Sequence, residues 1–456
     1  MEHAECIPKK IRRSSWQRWC TDGSLAMFRK STSGTLKYDV TVLSFLCVLS
    51  LLLGKRTRKV QDFTKTHYHE DVLKVPRKHL SVQEVVILSY YQRHHVVPAI
   101  RNKDSEASNF SDRYDQVEYT GAPHVLILTY MRSGSTLIGD ILQHHANSTY
   151  AFEPLRFIEE YVRTGKEVHY LNGTHRTYPR ENSSWVLVDM LYRWLTCDVT
   201  RINIMDLSSV MLIQSNSYAD YYRCISLRKR LQRATTNQRR KFISQCIKQL
   251  RDKCEAGTVF IVKTIRFDMA SAGLLLKLLP GLKVVHLLRD PRGKLLSEFN
   301  PEVKSWTSLQ SRAYAVCNQI QSDILETNLL FKSNPNSIRI LTYEQFSVDP
   351  ILKSQNMFMF LNLTFTREMY TYVKSLTLQR KERRYSKRTW AVQKTNAKLT
   401  SMRWRLDMEY EDVEEIDQNC VNLYKTVGYV PMNNNHNLRN LSMPSQNDSL
   451  IKYMSL

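Results

Sequence analysis

His124-Val125-Leu126-Ile127-Leu128-Thr129-Tyr130-Met131-Arg132-Ser133-Gly134-Ser135-Thr136 is the stretch on which the fold turns. Its first half is an apolar run rich in branched residues, entered through Gly121-Ala122-Pro123 and left through a turn containing Gly134. Such a run suits a strand buried on both faces of a parallel sheet. The helical pattern STLIGDILQHH begins at Ser135. Three further runs of the same kind follow, Thr258–Lys263, Lys283–Leu288 and Ser337–Thr342. Helical stretches long enough for crossovers separate them, including Asp268–Leu279 with Asp268 at the N-cap, and Trp306–Phe331. The pattern predicts an α/β fold: a P-loop-like, doubly wound parallel sheet with helices on both faces and ligands at the carboxyl ends of the strands. It is expected to form a single catalytic domain over 121–431, with a helical insertion at about 159–255 in which Trp185–Trp194 and Ser226–Leu250 are helical. The tail, 432–456, is expected to be disordered.

A strand, a tight turn and a helix start aim backbone N–H groups and the positive end of a helix at one point, which is how a phosphate is held. Gly134 permits close approach, Ser133, Ser135 and Thr136 carry hydroxyl donors, and Arg132 can bond both a phosphate oxygen and a leaving oxygen. An ordinary βα turn is the plainer alternative. A nucleoside triphosphate loop needs G-x-x-x-x-G-K-[ST]; here its first glycine and its lysine are missing, which also argues against a kinase-like phosphotransferase. A second strand-to-helix turn is Leu288-Arg289-Asp290-Pro291-Arg292-Gly293-Lys294, running on to Ser297. Arg289 at the strand end and Ser297 two turns into the helix can converge on a second phosphate; the alternative is a salt-bridged helix start.

The 456 residues carry 66 Lys and Arg against 43 Asp and Glu, a net charge of +23. Only twelve of those cations lie in 1–60, so the body is itself basic, which favours anionic partners or simple solubility. Val40–Gly54 is the only candidate membrane segment. At about 15 residues it is short against the ~20 that span an average bilayer, so a signal-peptide core is the rival reading. Gly54-Lys55-Arg56 offers no small-residue cleavage site, which favours an uncleaved anchor, with 1–39 a cytosolic tail and 55–120 a stem. All seven N-x-[ST] sequons follow it (Asn109, Asn147, Asn172, Asn182, Asn362, Asn440 and Asn447) and place the body in a lumen. Six cysteines of that body, Cys197, Cys224, Cys246, Cys254, Cys317 and Cys420, suit disulfides in any of 15 pairings; their spacing does not suit a metal.

The two turns, in this order, resemble the 5′-phosphosulfate loop and the 3′-phosphate motif of sulfotransferases that use 3′-phosphoadenosine 5′-phosphosulfate (PAPS). More narrowly, the chain resembles the Golgi galactose/N-acetylglucosamine/N-acetylgalactosamine 6-O-sulfotransferases. Phe152-Glu153-Pro154-Leu155, Val262-Lys263-Thr264-Ile265-Arg266, Thr342-Tyr343-Glu344-Gln345-Phe346, Arg403-Trp404-Arg405-Leu406, Cys420 and Gly428-Tyr429 keep that family's order. The resemblance implies sulfuryl transfer to a sugar 6-hydroxyl by a single-pass type II Golgi membrane protein. It implies PAPS as co-substrate and no metal. The implied partners are a glycan acceptor, polyanionic if the basic body faces it, and a membrane, not nucleic acid. Glu153 is implied as the base, kept ionised by a nearby Arg132; Arg132 as stabiliser of the leaving phosphate; and Lys263 as an assistant or a structural ion pair. Arg132, Ser133, Gly134, Ser135, Thr136, Arg289 and Ser297 would hold the donor. Where relatives place Arg-Asn-Ser against the 3′-phosphate, this chain has Gln393-Lys394-Thr395, so Lys394 is expected to supply that charge, with Arg383, Arg384 and Arg388 close in sequence. A catalytically silent glycan-binding protein on the same fold is the alternative.

Overall fold

The computed structural model describes residues 123–227, 231–298, 308–377, 396–447 and 449–456. Five parallel strands form the central sheet: β1 (His124–Thr129), β2 (Ser148–Phe152), β5 (Val259–Thr264), β6 (Leu282–Leu288) and β7 (Ile338–Thr342). Their order is β2-β5-β1-β6-β7. A two-stranded antiparallel ribbon, β3 (Val168–His169) with β4 (His175–Arg176), stands apart from the sheet. Four of the five sheet strands coincide with the four apolar runs. The fifth, β2, was not anticipated, because Ser148-Thr149-Tyr150-Ala151-Phe152 opens on polar residues and occupies an edge of the sheet.

The unbroken apolar character of β1 follows from its position between two neighbours, with helices over both faces. Successive side chains point to opposite sides, so Leu126 and Leu128 enter one core while Val125 and Ile127 enter another. Against the first pack α3 (Ser183–Leu195), α6 (Thr236–Glu255) and α7 (Met269–Leu278); against the second pack α1 (Ser135–Gln143), α11 (Pro350–Phe360) and α12 (Arg367–Thr377). Asp268 caps α7 as expected, accepting from Ser271 N–H at 2.7 Å. The insertion is helical, comprising α2 (Arg156–Thr164), α3, α4 (Ile204–Leu207), α5 (Ala219–Ser226) and α6. Its last helix does not run from Ser226. It starts afresh at Thr236 behind a capping box, in which Thr235 Oγ1 accepts from Gln238 N–H and Gln238 Oε1 accepts from Thr235 N–H. The disulfides are Cys197–Cys254, Cys224–Cys246 and Cys317–Cys420.

A third core gathers beyond β6 and β7, built from α8 (Pro291–Glu298), α9 (Leu309–Ser333), α14 (Trp404–Asp407), α15 (Tyr410–Asn419) and α16 (Val421–Val427), and centred on Trp404 and Tyr424, while α10 (Tyr343–Val348) sends Tyr343 and Phe346 into the second core and packs against α13 (Ala397–Met402). The expectation of a disordered tail is corrected here. After Pro431 comes a short helix, α17 (Asn435–Arg439), and Leu438, Ile451 and Met454 are buried in the same core. Buried Arg405 holds the segment, donating to the carbonyls of Asn437, Leu438, Asn440 and Met443 at 2.6–2.9 Å. Among the described residues no helix is long and apolar enough to cross a membrane. Val40–Gly54, the stem and the Lys381–Lys394 stretch lie outside the described residues.

Candidate functional site

At the carboxyl end of β1 the chain turns sharply, Ser133 N–H donating to the carbonyl of Tyr130 at 3.2 Å. Arg132 sits in the left-handed region at φ 67°, and Gly134 follows at φ 83°. A side chain at Gly134 is excluded twice, by that φ and by the Tyr343 ring, 2.4 Å from where a Cβ would lie. Gly134 is also the N-cap of α1. No side chain caps this helix and no carboxylate lies in its first turn, so its positive end is left open to an anion.

Arg289, at the end of β6, reaches across to this turn. Its guanidinium donates to the carbonyl of Arg132 at 2.8 Å and lies 4.9 Å from the centre of the Tyr343 ring. Arg132 Nε donates to Ser297 Oγ on α8 at 2.9 Å and to Ser297 O at 3.0 Å. Burial, with Arg289 alongside, pulls Arg132 below its ordinary pKa. Ser133 Oγ and Arg289 Nε are buried without a hydrogen-bond partner among the described residues. Buried polar atoms are seldom left so, and when they are, a ligand that completes them is a ready explanation. The two turns therefore meet at one locus, at the junction of β1, β6, α1 and α8, with two buried donors available to an anion. Ser135 is buried and Thr136 half-buried in the first turn of α1.

The remainder of the second turn is structural. Arg292 is fully enclosed, paired with Asp290 at 2.7 Å and Asp417 at 3.3 Å, and its guanidinium lies 4.0 Å from the Trp404 ring and 5.0 Å from that of Tyr424. Glu344 accepts from Asp290 N–H and from the Tyr429 hydroxyl, which ties the Thr342–Phe346 and Gly428–Tyr429 motifs into one packing unit. The salt-bridged helix start thus describes Asp290 and Arg292, whereas Arg289 and Ser297 both turn to Arg132.

A second cluster forms where β2 meets β5. Phe152 pairs in register with Lys263, and Glu153 N–H donates to the carbonyl of Lys263 at 2.8 Å. Glu153 adopts φ 48°. Like Arg132, it is a non-glycine residue held in the left-handed region, here directly after a strand, a strain of ~1–3 kcal/mol that surrounding structure must sustain. Its carboxylate is clasped twice, Oε1 by Lys263 Nζ at 2.6 Å and Oε2 by Arg266 Nη1 at 2.7 Å. Burial pushes the carboxyl up, but the two cations outweigh burial and hold it below the usual range, so Glu153 is ionised. Its partners are Lys263 and Arg266; the hydrogen bonds of Arg132 described above run instead to Ser297. Lys263 is itself buried, its ammonium 4.4 Å from the Phe152 ring centre. Behind the cluster Asp206 of α4 accepts from Phe157 and Ile158 N–H at 2.8 and 3.0 Å, anchoring the start of α2 shortly after Glu153.

The structure therefore gathers Arg132, Ser133, Gly134, Ser135, Thr136, Arg289 and Ser297 at one locus, and sets Glu153 with Lys263 on the same edge of the sheet. Lys394 lies outside the described residues. Sequence reasoning assigned no role to Arg266 or Tyr343, although both fall inside quoted motifs; nothing in their spacing says which arginine bends back onto Glu153 or which ring closes over Gly134. Among the described residues no group of His, Cys, Asp and Glu is arranged to hold a metal ion.

Comparison with known proteins agrees with this geometry. Carbohydrate sulfotransferase 1 of Danio rerio is 21% identical over 368 residues, covering 73% of this chain and 84% of the relative. Human carbohydrate sulfotransferase 5 is 19% identical over 353 residues, covering 70% and 80%, and human carbohydrate sulfotransferase 6 is 20% identical over 358 residues, covering 70% and 84%. A solved structure of mouse sulfotransferase SULT7A1 complexed with PAP overlaps at a TM-score of 0.33 with 8% identity, over 65% of this chain and 82% of that one, too slight an overlap to bear on the site. The model of the sulfotransferase family matches residues 123–367, more than half of the sequence and every strand of the central sheet, and the chain belongs to that family.

Proposed function

We propose that this sulfotransferase moves a sulfuryl group from PAPS to a sugar hydroxyl, the 6-hydroxyl of Gal, GlcNAc or GalNAc, with Glu153 as the base. The single observation that carries the reading is the pairing, on one sheet edge, of an anion site with two unsatisfied buried donors and a buried, ionised carboxylate held in a strained backbone conformation. The relatives' names support a carbohydrate acceptor.

Arg132, Ser133 and the first turn of α1 would hold the 5′-phosphosulfate, and Arg289 and Ser297 the 3′-phosphate, with Lys394 the proposed further contact there. Sulfuryl transfer, like phosphoryl transfer, is dominated by positioning and charge stabilisation. Arg132 stabilises charge growing on the departing phosphate, and Glu153 accepts the acceptor's hydroxyl proton. Lys263, enclosed against Phe152, keeps that carboxylate ionised and fixed.

A type II Golgi anchor at 40–54 with a lumenal body belongs to the same proposal. It is supported by three disulfides and by the exposure of all six described sequon asparagines. The test is transfer of radiolabelled sulfate from PAPS by the full chain to desulfated keratan, chondroitin and N-acetylglucosamine-terminated acceptors, beside Glu153→Gln. Label on a sugar 6-hydroxyl that falls by about 100-fold or more in the variant is the expected result. PAPS binding without labelling of any acceptor would favour the silent glycan binder.

A further inference from the structure

The two partners of Glu153 are not equivalent. Lys263 is 3% exposed in its side chain, sits on a central strand and shares a backbone hydrogen bond with Glu153. Arg266 lies past the end of β5 with its backbone N–H fixed by Thr264 Oγ1 at 3.0 Å, yet its side chain is 25% exposed. Lys263 is a permanent neighbour, whereas Arg266 is the partner that an arriving ligand can touch. A carboxylate clasped by two cations is also a weak base, because proton affinity far below the working pH gives little driving force for abstraction. Oε2, the oxygen facing the reachable side, carries Arg266 where an incoming hydroxyl proton would have to go.

Resting on the assignment of Glu153 as base, we propose that Arg266 reads an anionic group on the acceptor glycan, a carboxylate or a sulfate ester, and in turning to it releases Glu153 Oε2 to take the hydroxyl proton. The acceptor class is therefore an already anionic glycan. A guanidinium exchanges one oxyanion for another with its forked geometry satisfied at both ends, while a neutral sugar offers nothing in return for the broken pair. The chain's strong positive charge draws such polymers in. The groups facing Glu153 are Lys263 and Arg266 from β5 and the turn after it and the Tyr150 phenol on β2, with Asp206 of α4 behind Arg266. Once Arg266 has moved, Lys263 alone keeps the carboxylate charged. In the step itself the acceptor O–H proton passes to Oε2, the acceptor oxygen bonds to sulfur, and the bond from sulfur to the phosphate oxygen breaks, releasing 3′-phosphoadenosine 5′-phosphate (PAP).

The experiment measures kcat and KM of the full chain on three acceptors: desulfated keratan (neutral), unsulfated chondroitin (carboxylate only) and keratan sulfate (sulfate only). Wild type is expected to favour at least one anionic polymer over the neutral one by about tenfold or more in kcat/KM, as one charge-assisted bidentate contact supplies. The preferred arm tells carboxylate from sulfate ester. Arg266→Ala should bring that preference within about twofold, mainly through KM for the anionic polymer, and move the acidic limb of the kcat/KM profile, which reports the free enzyme, to higher pH as Glu153 loses a cation. Arg266→Lys, which keeps the charge without the fork, should fall between. Equal loss on all three acceptors with an unmoved acidic limb, or a wild type indifferent to acceptor charge, overturns the proposal. PAP binding by each variant reports folding; if Arg266→Ala fails it, Arg266→Lys decides by the same criterion. Glu153→Gln separates the two levels: if it retains activity, the base assignment has failed, whereas if it is inactive while acceptor preference ignores Arg266, only this inference has.

Discussion

Two buried carboxylates stand at strand ends on the same edge of the sheet, and only one has a partner that solvent reaches. Asp290 after β6 meets Arg292, and that arginine is closed in by Asp417, Trp404 and Tyr424 until neither partner touches water. Glu153 after β2 meets Lys263, equally enclosed, and Arg266, a quarter exposed. The backbone separates them as well, since Glu153 is held at φ 48° and Asp290 is not in the left-handed region. A salt bridge alone therefore says little about role; strain and one solvent-reachable partner say more.

The comparison can be broken by removing each arginine. Arg292→Ala strands Asp290 in a sealed core and should cost about 3–5 kcal/mol in chemical denaturation. Arg266→Ala should cost about 1 kcal/mol or less, because Lys263 still holds Glu153. Comparable losses would mean that the two clusters are of one kind. A smaller effect on stability, with a large one on ligand, is expected at the donor turn. Gly134→Ala meets the Tyr343 ring and an unfavourable φ, should lower stability by about 1–3 kcal/mol, and should abolish PAP binding measured by calorimetry. Retained binding would move the donor away from this turn.

Much of this was legible in sequence, and the exceptions share a cause. The three inner apolar runs, the apolar edge strand β7, the Asp268 cap and the sharp turn after β1 could be read because burial and local hydrogen bonding leave local patterns. Edge strand β2 could not, being polar at its start. The segment after Pro431 lacks apolar periodicity and is ordered from outside by Arg405, so its order is written in residue 405 rather than in itself. The capping box at Thr235 and Gln238 was visible and would have corrected the start of α6. Arg266 was quoted without a role because its partner is 113 residues away.

The smallest expected effect sharpens the contrast through pH. Burial pushes Asp206 up to about 7 from 3.8, opposite to Glu153. The folded chain then keeps a proton that the unfolded chain releases between about 3.8 and 7, so this stabilisation is present at low pH and fades as pH rises through 7. Buried Asp323, also raised to about 7, has the same sign. Thermal midpoints should be higher at pH 6 than at pH 8, and Asp206→Asn should flatten part of that slope; an unchanged slope would remove Asp206 as its source.

The Cys317–Cys420 bond spans 103 residues and joins α9 to the junction of α15 and α16. Everything between these cysteines, including β7 and the stretch holding Lys394, belongs to a covalent ring. A single protease cut inside that ring would leave one molecule by mass under oxidising conditions and two chains after reduction. Electrophoresis with and without reductant would thus reveal nicked enzyme that an activity assay counts as whole.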